Sequence, residues 1–127
     1  MRDNLLGKLY ANGEVVARQG EIGDCMYVVQ RGQVEIVLER PDGSETGVGV
    51  IKEGDLFGEM AILEKLPRSA TARAIGEARV LTVDRRTFLR RVKEDPTLAL
   101  NILRSLSQRI RNMNRELEEA RKKLRNP

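Results

Sequence analysis

Phe57-Gly58-Glu59-Met60-Ala61-Ile62, followed after a short gap by Pro67-Arg68-Ser69-Ala70-Thr71-Ala72, is the stretch from which the rest of this chain can be read. Gly58 has no side chain, so the backbone there can come close to a bound molecule. Residues 59–63 suit one helical turn, whose first amides, near Met60 and Ala61, would be left open to an anion. Arg68, nine residues after Glu59, offers a planar fork that matches two phosphate oxygens. Ser69 adds a hydroxyl donor. Glu59 only accepts hydrogen bonds, so it should face a neutral donor such as a sugar hydroxyl rather than the anion. A surface Arg–Glu pair beside an ordinary turn has the same spacing. Pro67, which fixes the backbone before Arg68, and the small Ser69-Ala70 after it favour a built pocket. A pocket that reads an anion and a vicinal hydroxyl together fits a nucleotide.

Composition narrows the chemistry. The 127 residues suffice for one domain with a real core, and 40% are apolar against 33% charged. There is no histidine, which removes the usual metal ligand, the usual general base and any histidine-activated nucleophile. Two tyrosines, two phenylalanines and no tryptophan leave little for single-stranded nucleic acid to stack on. The one cysteine, Cys25, cannot form an internal disulfide, which suits a reducing cytoplasm. Lying before Met26-Tyr27-Val28-Val29, it reads as a buried small hydrophobe. No apolar run reaches the length of a membrane span and no signal peptide is evident. The net charge of +4 is unevenly placed. Residues 1–84 carry 10 basic and 14 acidic side chains, a net of −4, and residues 85–127 carry 13 and 5, a net of +8.

Residues 8–84 read as short strands separated by glycine turns. The candidate strands are 15–17, 26–29, 33–38, 47–51, 71–74 and 79–83. Val34, Ile36 and Leu38 alternate with Glu35, Val37 and Glu39 and predict one inward face. Gln19-Gly20, Arg31-Gly32, Pro41-Asp42-Gly43 and Glu53-Gly54-Asp55 predict turns, Asp42-Gly43 being a hairpin signal. Many short strands so spaced suggest an antiparallel barrel or jelly roll. After Asp84 the pattern turns helical, with a short helix ending near Asp95 and a new one opening at Pro96.

From Leu98 to Leu124 there is neither glycine nor proline. Leu103, Leu106, Ile110, Met113, Leu117, Ala120 and Leu124 recur at intervals of 3, 4, 3, 4, 3, 4, an a/d seam three heptads long. With Leu103 at position a, Glu116 at g faces Arg121 at e of a parallel partner. The seam is too long to be covered by the chain's own strands, so it predicts a parallel homodimer. Arg121-Lys122-Lys123-Arg125 reads as a solvated helix end whose cations suit the dipole.

The 57–72 cassette resembles the phosphate-binding segment of the cyclic nucleotide-binding domain. That family includes the sensor half of the catabolite activator protein, the regulatory subunits of cyclic-AMP-dependent kinase and the cyclic-nucleotide-gated channels. The resemblance extends over nearly the whole chain, through glycine turns at Gly20, Gly32 and Gly54, the cassette and two C-terminal helices. It implies a mainly β fold with C-terminal helices in a single domain. That fold is a double-stranded β-helix, a jelly-roll-like β-roll over about 8–84, with a short helix over about 85–95 and a long dimerisation helix over about 96–125.

It also implies roles. Glu59 would accept from the ribose 2′-hydroxyl and Arg68 would clamp the cyclic phosphate. Gly58, Met60 and Ala61 would give backbone contacts around the phosphate, and Ser69, with the small Ala70 beside it, a hydroxyl to phosphate or base. The place where bacterial members read the purine from the long helix falls at Met113 and Asn114, Met113 being also a d position of the seam. The resemblance implies a cAMP sensor, with cGMP second, that needs no cofactor and is not an enzyme. A cupin-like enzyme would need the histidines this chain lacks. Binding would reposition the C-terminal helix and the dimer. The alternatives are a structural homodimerisation domain without a nucleotide, or the sensor half of a transcription regulator whose DNA-binding domain does not follow here.

Overall fold

The structure, a computed structural model, describes residues 6–125 and divides into two compact units, one ending at Arg90 and the other beginning at Arg91. In the first, β1 (Lys8–Tyr10), β2 (Val15–Ala17), β3 (Cys25–Glu39), β4 (Glu45–Lys52), β5 (Leu56–Phe57) and β6 (Thr71–Asp84) form one antiparallel sheet. The strand order is β1-β6-β3-β4, with β2 also paired to β6 and β5 to β3. Tyr10, Val29, Val34, Phe57, Ala72, Ala74, Ala78 and Val80 form its apolar core.

Two long strands carry the sheet where the sequence suggests four short ones. Arg31-Gly32 does not turn the chain. β3 runs through it with register shifts on either side of Arg31, and Gly32 takes a φ of 82°. A Cβ there would stand 2.6 Å from the Glu77 carbonyl oxygen, so glycine lets β3 and β6 pass in contact. The predicted inward face holds for Val34, in the core, and Ile36, packed against it, and is corrected at Leu38, which is exposed, and at Val37, which is buried. The register pairs Ile36 with Gly49 and Val37 with Gly47, leaving Val48 as the extra residue of a bulge in β4.

The hairpin after β3 forms where Asp42-Gly43 places it. Asp42 Oδ1 accepts from the Ser44 amide at 2.9 Å and its hydroxyl at 2.6 Å, and Gly43 turns with a φ of 89°. Those two bonds, the hydroxyl's first, hold the Asp42 carboxyl below its ordinary pKa. Helix α1 (Glu59–Glu64) follows β5, with Ile62 buried and its carbonyl accepting from Arg85 Nη1. Helix α2 (Arg85–Glu94) begins at a side-chain cap, because Asp84 Oδ1 accepts from the Thr87 amide at 2.7 Å. Phe88 is its buried residue.

The second unit is almost entirely α3 (Thr97–Arg125), 29 residues and about 44 Å long. Along the predicted seam Leu103, Ile110, Met113, Leu117, Ala120 and Leu124 are exposed and Leu106 is half-buried. No helix among the described residues is long and apolar enough to cross a membrane.

Candidate ligand-binding site

Gly58 joins β5 to α1 and is the N-cap of that helix, at φ 79° and ψ 11°. This left-handed turn suits glycine, and it puts Glu59 in the first turn of α1. Glu59 is 3% exposed. Burying a carboxylate costs several kcal/mol unless donors or a cation meet it.

Arg68 arrives from the other side, on the segment that leads into β6. Its amide donates to the Glu21 carbonyl at 2.9 Å and its carbonyl accepts from Gly20 at 2.8 Å, so its backbone is pinned by the 18–24 loop. The guanidinium lies between two glycines. Ideal Cβ atoms on Gly23 and on Gly58 would each fall 2.8 Å from it, the first from Nη2 and the second from Nη1. Arg68 Nη2 donates to the Cys25 carbonyl at 3.0 Å and lies 3.4 Å from Cys25 Sγ. Its Cζ sits 5.0 Å from the centre of the Tyr27 ring. Thus the structure brings the Arg68 guanidinium against Gly58, the residue before the buried Glu59.

Two details differ from the sequence reading. The Ala61 amide is not open to an anion, since it donates to the Gly58 carbonyl at 3.3 Å within the first turn. Cys25 is not a buried hydrophobe. It is half-buried, and its thiol donates to the Tyr27 hydroxyl at 3.5 Å besides facing Arg68. Met60 and Ser69 are exposed, Ala70 is half-buried, and Met113 and Asn114 lie exposed on α3 in the second unit.

Sequence reasoning missed Tyr27. Burial drives its phenol well above the ordinary tyrosine pKa, the Cys25 thiol adds to this, and the Arg68 guanidinium opposes it. It therefore stays a neutral phenol at physiological pH. Its neighbours in sequence gave no signal, because the β3–β5 register alone pairs it with Phe57 beside the cassette.

The description "Cyclic nucleotide-binding domain" matches residues 8–95. The chain belongs to this family. A CRP-like cAMP-activated global transcriptional regulator of Mycobacterium tuberculosis is 32% identical over 110 residues, 87% of this chain and 49% of that protein. The catabolite activator protein of Thermus thermophilus has a similar structure, with a TM-score of 0.78 at 32% identity over 87% of this chain and 52% of that one. The regulatory domain of Toxoplasma gondii PKA with cAMP gives a TM-score of 0.61 at 32% identity over 65% of this chain and 32% of that one. The antiparallel sheet with C-terminal helices is thus the β-roll fold of this cyclic nucleotide-binding domain family. The chain spans about half the length of the curated regulators it matches.

Proposed function

We propose that this cyclic nucleotide-binding domain takes cAMP, with cGMP as the weaker ligand, and acts as a sensor rather than a catalyst. The observation that supports the reading best is a fixed guanidinium set against the Gly58 turn, whose next residue is the buried Glu59. Arg68 would hold the cyclic phosphate and Glu59 the ribose hydroxyl, with Gly58, Met60, Ala61, Ser69 and Ala70 around them. Met113 and Asn114 would meet the purine, Asn114 having both a donor and an acceptor for its edge. Two kinds of relative described as cAMP-activated or cAMP-bound support cAMP as first choice. The mechanism proposed is a switch. A nucleotide that binds one disposition of the α3 helix better shifts the equilibrium by that difference in affinity, and no further. The exposed a/d seam supports a parallel homodimer as the species that switches.

Titration calorimetry with cAMP and cGMP tests the ligand, and micromolar binding of neither would refute it. Spin-label distances along α3 that do not change on adding the nucleotide would refute the switch. The same seam favours a second reading, a dimerisation domain with no physiological nucleotide. A rise in melting temperature with cAMP separates the two, because a ligand that binds only the native state must raise it.

A further inference from the structure

We propose that Tyr27 is a positioning residue for Arg68, its ring a platform that fixes the guanidinium before any ligand arrives. The inference rests on the cyclic-nucleotide reading above for its consequence in binding, though not for its structural content.

Tyr27 and Phe57 are direct partners in the antiparallel pairing of β3 with β5, so the sheet register stacks their rings, 5.0 Å apart and inclined by 20°. Both are buried, at 8% and 5% exposure. The Tyr27 ring is also packed against Gly58, where a Cβ would lie 3.2 Å from ring Cδ2. Tyr27 therefore stacks on one buried ring and has the cation over its own ring as well. The Cys25 carbonyl takes Nη2 at 3.0 Å, and Tyr27 is two residues further along the same strand. One strand thus supplies both the platform and the anchor, which leaves Nη1 turned toward Gly58 and the head of α1.

An arginine otherwise gives up much rotamer freedom when it closes on an anion. Holding it beforehand removes that cost from binding, and affinity rises without a new ligand contact. The hydroxyl of Tyr27 matters less than the ring, since its partner, the Cys25 thiol, is a weak donor.

Nitrogen-15 relaxation of the arginine Nε–H groups tests this in the ligand-free protein. Arg68 should be ordered like the backbone of β3, while the exposed Arg111 and Arg115 should fall below an order parameter of about 0.6. Tyr27→Leu should release Arg68 and weaken cAMP binding about tenfold, and Tyr27→Phe should rescue both. In an Arg68→Lys background the Tyr27→Leu loss should shrink to about twofold, since an ammonium does not stack flat on a ring. A merely structural tyrosine would cost the same in either background. An Arg68 as mobile as Arg111 in the wild-type protein overturns the inference, and that measurement needs neither a variant nor a ligand. Wild-type protein that binds neither nucleotide while Arg68 is ordered refutes the sensor reading and leaves the platform standing.

Discussion

Replacing Gly58 by alanine should harm stability and binding by two separable routes. The first is conformational. At φ 79° an L-residue is strained by about 1 kcal/mol, which for a chain of this size lowers the melting temperature by about 4 °C. The second is contact. The new methyl would stand 2.8 Å from Arg68 Nη1 and 3.2 Å from the Tyr27 ring, where ordinary contact begins at 3.4 Å. The ring is backed by Phe57, so the arginine must give way by the difference, about 0.6 Å. Charge-assisted hydrogen bonds are short and directional, and a shift of that size should weaken cAMP binding by about 1–2 kcal/mol. Gly43→Ala is the control. Gly43 has a φ of 89° with nothing within 4 Å of its Cβ position, so it incurs the strain without moving Arg68. Differential scanning fluorimetry should show a similar loss in both ligand-free variants, and calorimetry should show weakened binding in Gly58→Ala alone. Equal affinities for the two variants would refute the close approach of Gly58 to the guanidinium.

Further outcomes follow from other residues. Arg68→Ala should cost about 3 kcal/mol of cAMP binding, roughly a hundredfold by calorimetry, because the phosphate loses its charge-assisted partner. Leu117→Asp, in an exposed stretch of the seam, should shift sedimentation velocity to a monomer at tens of micromolar if α3 carries the dimer, and leave the β-roll folded. Asp84→Ala should lower the melting temperature at neutral pH by removing the cap of α2. The Thr87 amide bond holds the Asp84 carboxyl below its ordinary pKa, so its contribution is complete above the unfolded value of about 3.9 and is lost as pH falls through the depressed folded value. The gap between Asp84→Ala and wild type should therefore close in acid, as followed by thermal melts across that range.

The sequence was legible where local chemistry decides structure. Asp42-Gly43 makes its hairpin because the Asp42 carboxylate and the glycine act within three residues. Gly58 was readable for the same reason, since a left-handed turn at the head of α1 asks for glycine. What was hidden depends on register. Arg31-Gly32 has the composition of a turn, yet β3 pairs with β6 on both sides of Gly32, which becomes a point of close passage. Leu38 looks inward by alternation, but the pairing of β3 with β6 ends at Val37 and Leu38 is exposed. Cys25 and Tyr27 took on polar roles that neither residue's neighbours in sequence announce, because Arg68 reaches them from 43 positions away in the case of Cys25.

The bulge at Val48 bears on how copies of this chain meet. β4 ends the strand order and is exposed at every residue but Ile51, so a flat β4 would offer a template for a foreign strand to zip onto. The surplus residue puts its amides out of step and twists the rim, while Glu45 and Lys52 add charge at its two ends. Strand addition at this edge is thereby discouraged, and at the concentrations of a crowded cell this chain should resist fibril growth by that path.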